Sequence, residues 1–220
     1  MAVMEIYTDA SMRTLDDGRV FGCSGALCAN TGQAKYTINP DSTNNKSELL
    51  AVFLGVQLAH QIMMENPGVY ESIDLYSDSQ FSIFGLTRWM PGWLKTKDAN
   101  GIIYGSNRRP VKNQELFAMI LTYMVNNNLR IRFLHMAGHI RMTSLKRLGV
   151  ANYVFNKSNG FCLRPDEVFK ISYYNDIVDR TSRSKLYSIN PSNFPARLSG
   201  EESIKYEFPP NFRKFVVSTK

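Results

Sequence analysis

Three acidic side chains in the first half of the sequence have the placement of a metal site. Asp9 and Asp78 end two strand-like runs, VMEIYTD and SIDLYSD, and Glu48 follows a polar string that opens a helical pattern. If the two strands are parallel neighbours, the three carboxylates converge. Such a cluster is unfavourable unless cations compensate its charge. Two Mg²⁺ ions about 4 Å apart, held by oxygen ligands, support in-line phosphoryl displacement, which is nuclease chemistry.

Each acid also has an ordinary structural explanation when it is taken alone. Glu48 near the start of a helix favours the helix dipole, and Asp78 before Ser-Gln is a good N-cap. A single aspartate on a helix, such as Asp179 in NDIVDRTSR, usually lies at the solvated surface. The elements that carry these residues therefore decide between the two explanations.

The periodicity of the chain predicts a mixed α/β sheet with helices. In the first run, Met4, Ile6 and Thr8 alternate with Glu5, Tyr7 and Asp9, as in a strand with two distinct faces. The five strand-like runs are residues 3–9, 19–29, 33–39, 72–78 and 128–138. The helical patterns begin near residues 45, 79, 113 and 175. The short NTG turn between the second and third runs predicts an antiparallel meander of the first three strands.

Charge and length favour one basic domain with a polyanionic partner. The 220 residues are 44% hydrophobic, enough for one main core, and carry a net charge of +7. The densest basic stretch is residues 88–112, where Trp89, Trp93 and Tyr104 are interleaved with arginine and lysine. A stretch of this kind indicates contact with nucleic acid.

Cysteine usage and hydropathy place the protein in the cytoplasm. Cys23, Cys28 and Cys162 are odd in number and lack metal-ligand spacing, so we expect reduced thiols rather than disulfides or zinc ligands. No run approaches the roughly 20 apolar residues of a membrane span, and the chain opens without a basic leader. We expect a soluble monomer with no membrane partner and no small-molecule cofactor.

Five strings of the sequence, in their order and spacing, resemble type 1 ribonuclease H. They are YTDAS (7–11), STNNKSELLAV (42–52), YSDSQFSIFGLTRWMPGW (76–93), RRPVKNQELF (108–117) and FLHMAGH (133–139). The resemblance covers most of residues 4–139 and points to the bacterial form with a basic protrusion, in the layout of phage-encoded members. It implies a ribonuclease H-like α/β fold, with a five-stranded mixed sheet of three antiparallel strands and then two parallel ones, flanked by helices.

The resemblance implies an endonuclease that hydrolyses the RNA strand of RNA/DNA hybrids and leaves 5′-phosphate and 3′-hydroxyl ends. The family's first three catalytic, metal-binding acids carry over onto Asp9, Glu48 and Asp78, which would hold two Mg²⁺ ions, with Mn²⁺ as a substitute. His139 matches a histidine that assists proton transfer or product release, a task that a near-neutral pKa suits. His135, inside a strand, has the position of a structural residue. The resemblance would also imply a role in removing hybrids during replication, of a phage in its host's cytoplasm if the protein is phage-encoded.

Two residues compete for the family's fourth acidic position. The segment after His139, IRMTSLKRLG, contains no acid. Asn152 fits a short loop but supplies no charge, whereas Asn175, Asp176 and Asp179 reproduce the family's spacing of asparagine, acid and aspartate 36 residues after His139. We favour Asp179 as the fourth catalytic and metal ligand, which makes residues 140–174 an insertion with helix around SLKRLGVANYVFNKS.

The resemblance also implies a nucleic-acid surface, recognised through RNA 2′-hydroxyls and phosphates. The residues it assigns are Thr43, Asn44, Asn45, Gln80, Trp89, Trp93, Arg108, Arg109 and Lys112. Capping of the helix is the alternative for Thr43 and Asn44, although one residue can both cap the helix and contact nucleic acid. Packing within the basic protrusion is the alternative for the two tryptophans.

The expected organisation is a catalytic domain over residues 1–187 and an extension over residues 188–220. The domain contains the protrusion 88–112 and the insertion 140–174. The extension is either a partner-binding strand or a cover. Two rival functions remain: a hybrid-binding protein with weakened catalysis, which needs Asn152 in the fourth position, and another nuclease of this fold, such as a junction resolvase.

Overall fold

A six-stranded mixed sheet lies at the centre of the fold. The computed structural model describes residues 2–138, 145–190 and 207–217. The strands are β1 (Ala2–Thr14), β2 (Val20–Cys28), β3 (Ala34–Pro40), β4 (Tyr70–Ser77), β5 (Ile131–His135) and β6 (Val216–Val217). The helices are α1 (Asn44–Glu65), α2 (Gln80–Phe84), α3 (Met90–Trp93), α4 (Gln114–Asn126), α5 (Leu145–Asn159) and α6 (Pro165–Tyr187), with a π-helical turn at Gly85–Trp89.

The order across the sheet is β3-β2-β1-β4-β5-β6. Strands β1, β2 and β3 are antiparallel, whereas β4 is parallel to β1 and β5 is parallel to β4. The five-strand arrangement expected from the sequence is therefore confirmed. The two-residue strand β6 extends it by pairing parallel to the start of β5.

Successive side chains of β1 point to opposite faces of the sheet, and a separate hydrophobic core lies on each face. Met4 and Ile6 face α1 and belong to the larger core, which also contains residues of α4. Tyr7 lies on the opposite face and stacks on Tyr76 and Tyr174, with ring centroids 4.8 and 5.1 Å away. Helices α5 and α6 cover this second face. Strand β1 is thus buried on both sides, which fixes the position of the polar residues at its end.

Helix α1 is the central helix of the larger core. Thr43 is its N-cap and accepts a hydrogen bond from the backbone N–H of Lys46 at 3.3 Å, so the capping explanation for Thr43 is correct. Within the described ranges, α1 alone has the length and mean hydropathy, 1.3, of a helix that could cross a bilayer. Its buried face packs on β1 and β2, as in the core helix of a sheet protein.

The predicted insertion 140–174 does not end at a structural boundary. Helix α6 begins at Pro165 and runs without a break past residue 174, so the proposed boundary cuts through this helix. The reason is packing: Ile171, in the first turns of α6, is buried with Phe155 of α5 in the second core, and Val168 is buried as well. The helix predicted around residues 144–158 is present as α5.

Part of the C-terminal extension belongs to the main domain. Phe212 is 4% exposed and lies in the larger core, where Phe208 and Phe215 also pack. This segment leads into β6, so it contributes a strand to the protein's own sheet. Residues 191–206 and 218–220 of the extension lie outside the described residues.

The three cysteines are free thiols, with Cys23 and Cys28 buried and Cys162 exposed. This agrees with the expectation of reduced cysteines.

Candidate metal centre

The carboxylates of Asp9, Glu48 and Asp78 meet at one point beside the sheet. One oxygen from each lies within 4.8 Å of the others. Asp9 is 2% exposed and Glu48 7% exposed, while Asp78 is half-buried. Oε2 of Glu48 is buried and has no hydrogen-bond partner among the described residues. A buried carboxylate oxygen without a partner is costly, so this arrangement is suited to a cation.

Unequal strand lengths create the site. Strand β1 continues to Thr14, but its pairing with β4 ends at Thr8 opposite Ser77. Asp9 is therefore not the end of its strand, as the sequence suggested, but the first residue beyond the point where β4 stops. Asp78 follows β4 directly. The N-cap of α2 is Ser79, whose hydroxyl accepts from the N–H of Ser82, so capping does not explain Asp78.

The electrostatics of the cluster favour the protonated acids. Burial, and after it the charges of Asp78 and Asp179, raise the pKa of Asp9 well above its usual range. Burial, followed by the charges of Asp9, Asp78 and Asp179, also raises the pKa of Glu48. Divalent cations bound here would reverse this balance, because they favour the ionised carboxylates.

The raised pKa values of Asp9 and Glu48 predict that the cluster destabilises the metal-free protein increasingly as pH rises. The folded cluster binds protons that the unfolded chain releases near pH 4, so the free energy of unfolding falls from about pH 4 up through the folded pKa values. We expect Asp9→Asn to remove part of this penalty and to raise Tm in EDTA at pH 8 but not at pH 4. Each kcal/mol corresponds to about 2–4 °C for a chain of this size.

Thermal unfolding of wild type and Asp9→Asn at both pH values, in EDTA and in Mg²⁺, checks this expectation. Comparison of the two variants cancels the titration of groups outside the cluster. Mg²⁺ should stabilise the wild type more at pH 8 than at pH 5. Equal Tm values for the two variants at pH 8 in EDTA would contradict the repulsion described above.

The absence of a side chain at Gly138 lets the backbone lie close to Asp78. A Cβ at this position would overlap the Asp78 carboxylate, so only glycine allows this approach. The sequence identified Gly138 only as part of the FLHMAGH string, and its contact with Asp78 required the structure. His139, the next residue, lies outside the described residues, and its expected role in proton transfer remains a prediction.

Asp179 lies beside the cluster, on α6. Its charge acts on both Asp9 and Glu48, although Asp179 is not within the 4.8 Å group. The Ser11 hydroxyl donates to its Oδ1 at 3.2 Å, and Arg183 donates to both oxygens at 3.0 and 2.8 Å. The structure thus brings the favoured fourth residue to the site, where Arg183 pairs with its charge.

Asn152, the competing residue, has a structural role instead. Its side-chain amide donates to the carbonyl of Leu163 at 2.9 Å, and its Oδ1 accepts from the N–H of Leu163 at 3.0 Å. These bonds hold the turn between α5 and α6. Asn175 of α6 also reaches the cluster, because its Nδ2 donates to Oδ2 of Asp9 at 3.4 Å. From the sequence, Asn175 was visible only as part of the NDIVD string, and its contact with Asp9 was not predicted.

The predicted nucleic-acid residues fall into two exposed groups. Thr43, Asn44 and Asn45 lie at the N-terminus of α1, and Gln80 lies at that of α2, so they flank the elements that carry Glu48 and Asp78. Arg108, Arg109 and Lys112 form the second group, in the loop before α4. The structure therefore places one group next to the cluster and the other on the basic segment.

The two tryptophans pack within the basic segment and also reach its surface. Trp93 is half-buried and makes an edge contact with Phe117 of the core at 5.6 Å between centroids. Trp89 is 40% exposed and lies 5.7 Å from Trp93. Together with Tyr104 they line a cavity of about 610 Å³. Packing within the basic segment accounts for Trp93 better than for Trp89, because Trp89 is the more exposed of the two.

Comparison with known proteins agrees with this arrangement. A model of the RNase H family matches residues 1–145, which include the three clustered carboxylates but neither Asn152 nor Asp179. The chain is 35% identical over 121 residues to a ribonuclease H of Rhodopirellula baltica, covering 52% of this chain and 66% of that one. It is 30% identical over 132 residues to a ribonuclease H of Schizosaccharomyces pombe, covering 58% and 44%. The chain spans less than two thirds of these two relatives.

Among solved structures, the crystal structure of prototype foamy virus protease-reverse transcriptase resembles this chain with a TM-score of 0.50 and 17% identity. The likeness covers 85% of this chain and 21% of that one, and it concerns the fold alone. The family model carries more weight, because it covers well over half of the 220 residues and all of β1 to β5. This chain therefore belongs to the RNase H family.

Proposed function

We propose that this protein is an endonuclease that hydrolyses the RNA strand of RNA/DNA hybrids, leaving 5′-phosphate and 3′-hydroxyl ends. The observation that carries the proposal is the buried cluster of Asp9, Glu48 and Asp78 in a chain of the RNase H family. The two relatives described above are named ribonuclease H, which supports the same activity. The rival hybrid-binding function, which needs Asn152 at the site, is less well supported, because the side chain of Asn152 is bonded to Leu163.

The residues of the site fit divalent cations. They offer only carboxylate oxygens, which Mg²⁺ prefers and Mn²⁺ accepts, and Glu48 Oε2 is buried without a partner among the described residues. Asp9, Glu48 and Asp78 would hold one ion, and Asp9 and Asp179 a second. Bound there, a pair of ions would supply activation of the attacking water and charge stabilisation of the leaving oxygen in an in-line displacement.

The other residues of the site orient its carboxylates. The N–H of Ala10 donates to Asp9 Oδ1 at 2.7 Å, and Asn175 donates to Oδ2, so both oxygens of Asp9 are fixed. Ser11 and Arg183 hold Asp179 in the same way. Orientation of this kind reduces the rearrangement needed when the site binds its ligands.

The exposed amides beside the cluster suit an RNA strand. Asn44, Asn45 and Gln80 can bond to 2′-hydroxyls, which distinguish RNA from DNA, while Thr43 lies where it can hold a phosphate of the DNA strand. The basic loop is separate from this group. Its side chains Arg108, Arg109 and Lys112 would contact phosphates and add affinity without sequence preference.

Binding through the basic loop predicts a measurable salt dependence. Each phosphate contact contributes about −0.9 to the slope of log K against log salt concentration on a duplex. Replacing Arg108, Arg109 and Lys112 by glutamine should flatten the slope for a hybrid by roughly 2–3. Fluorescence anisotropy over about 50–200 mM salt measures it. A variant slope equal to that of the wild type would show that these residues do not contact the substrate.

Cleavage of end-labelled substrates tests the function itself. RNA annealed to DNA, duplex RNA, duplex DNA and a DNA four-way junction are each incubated with the protein in Mg²⁺ or in EDTA. We expect Mg²⁺-dependent cutting of the RNA strand of the hybrid alone. Binding of the hybrid without cutting would make the protein a binding module, and cutting of DNA junctions in preference would favour a resolvase.

A further inference from the structure

The inserted helix α5 reaches the metal centre through His135. This residue ends β5, is 3% exposed and pairs with Ser77, the residue before Asp78. Nδ1 of its ring lies 2.7 Å from the hydroxyl of Ser158, at the C-terminal end of α5. Nε2 lies 3.2 Å from the backbone carbonyl oxygen of Asp78. One buried side chain therefore joins α5 to a carboxylate-bearing residue of the cluster.

The last residue of α5 holds the backbone of His135 as well. Asn159 is 3% exposed, and its Oδ1 accepts from the N–H of His135 at 3.1 Å while its Nδ2 donates to the carbonyl of His135 at 2.7 Å. The side-chain amide of Asn159 thus satisfies both the backbone N–H and the backbone carbonyl of His135, as a neighbouring strand would. Strand β6 pairs only with the start of β5, at Ile131 and Arg132, so α5 occupies the end of this edge nearest the cluster.

The bonds of His135 define its tautomer. A carbonyl oxygen only accepts, so Nε2 donates to Asp78, and in the neutral ring Nδ1 then accepts from the hydroxyl of Ser158. Phe84 packs against the ring at 5.2 Å between centroids. The imidazole is therefore fixed in orientation by groups on α2, α5 and β4.

Arg88 binds the same C-terminal end of α5. Its guanidinium donates to the backbone carbonyl of Ser158 and lies 4.1 Å from the centroid of Phe84. A cation at the C-terminus of a helix is favourable because carbonyl groups there carry partial negative charge. Arg88 belongs by sequence to the basic segment, but its guanidinium is engaged with α5.

We propose that α5 is a positioning element of the metal centre and that His135 is the residue through which it acts. His135 fixes the backbone of Asp78, while Gly138 allows the chain to pass close to the Asp78 carboxylate. Helix α5 is then part of the scaffold of the site rather than an appendage. The inference rests on the proposed metal-dependent function, and the test below separates the two.

Mn²⁺ binding to His135→Phe and His135→Gln tests the positioning role. Phenylalanine keeps a ring against Phe84 but has no donor for the Asp78 carbonyl, whereas the amide of glutamine can place a donor near Nε2. Residues behind a metal ligand typically affect metal affinity by about 10–100-fold. We expect at least a tenfold loss of Mn²⁺ affinity in His135→Phe and restoration to within about threefold in His135→Gln, measured by electron paramagnetic resonance.

A serine pair isolates the contribution of α5. Ser158→Ala removes the hydroxyl that bonds to His135, and we expect Mn²⁺ affinity to fall by about threefold or more. Ser172→Ala is the matched control, since Ser172 is also a buried helical serine of this side of the sheet but its hydroxyl has no partner among the described residues. Its Mn²⁺ affinity should equal that of the wild type. Thermal unfolding in EDTA confirms that each variant is folded.

The outcomes distinguish the inference from the function. Wild-type affinity in His135→Phe, or an equal loss in His135→Phe and His135→Gln, would overturn the positioning role alone. A loss in His135→Phe with no difference between Ser158→Ala and Ser172→Ala would overturn the role of α5. Absence of Mn²⁺ binding to the wild type would overturn the proposed function together with the inference.

Discussion

Asp9→Asn is expected to abolish hydrolysis of the hybrid and to leave hybrid binding intact. Asp9 is the most buried acid of the cluster, and hydrogen bonds from Ala10 and Asn175 orient its two oxygens. Asparagine keeps the shape but removes the charge on which cation binding depends. Loss of about 4 kcal/mol of transition-state stabilisation corresponds to about a thousandfold in rate. Single-turnover cleavage measures the rate, and fluorescence anisotropy measures the binding.

Stability provides the control for this substitution. Because the charge of Asp9 is repelled by its neighbours, the inactive variant should be at least as stable as the wild type in EDTA. Loss of activity then cannot be attributed to unfolding. A variant that cleaves within tenfold of the wild-type rate would show that Asp9 is not at the centre of the reaction.

Asp179→Asn is expected to reduce the cleavage rate by about a hundredfold, whereas Asn152→Ala should leave it within about twofold. Asp179 acts electrostatically on Asp9 and Glu48, and the loss of one charge-stabilising group of an active site commonly costs about 10²–10³. Asn152 instead bonds to the backbone of Leu163. Its replacement should reduce the free energy of unfolding by about 1–3 kcal/mol. The two variants therefore separate catalysis from stability.

Asp176→Asn is the matched control for Asp179→Asn. Asp176 lies on the same helix and pairs with Arg180 at 2.8 Å, in the same i, i+4 geometry as Asp179 and Arg183, but on the exposed side. An exposed pair of this kind contributes about 0–1 kcal/mol, so activity and Tm should change little. Equal cleavage rates of the Asp176 and Asp179 variants would show that Asp179 has a structural role and not a catalytic one.

The sequence was sufficient to predict five of the strands and the convergence of Asp9, Glu48 and Asp78. Side-chain alternation in β1 is a local pattern, and it assigned Met4, Ile6 and Tyr7 to the faces on which they lie. The position of Asp78 after a strand is equally local. Because the carboxyl ends of parallel neighbours lie on one side of a sheet, these local patterns also predicted that Asp9 and Asp78 converge.

What the sequence did not provide depends on contacts between distant segments. Near the start of α6, Ile171 packs in the second core and Val168 is buried, and periodicity within residues 140–174 gave no sign of this helix start. Strand β6 has two residues, too few for any pattern, and it exists because Phe212 anchors the chain beside β5. The contact of His135 with Asp78 joins residues 57 positions apart.

The central claim is that the carboxylate cluster binds the ions on which RNA cleavage depends. An anomalous difference map from crystals of the protein soaked in Mn²⁺ tests it most directly. We expect one peak among Asp9, Glu48 and Asp78 and a second between Asp9 and Asp179, with Arg183 displaced from the Asp179 carboxylate. A map without a peak at the cluster, from crystals that hold Mn²⁺ elsewhere, would contradict the account.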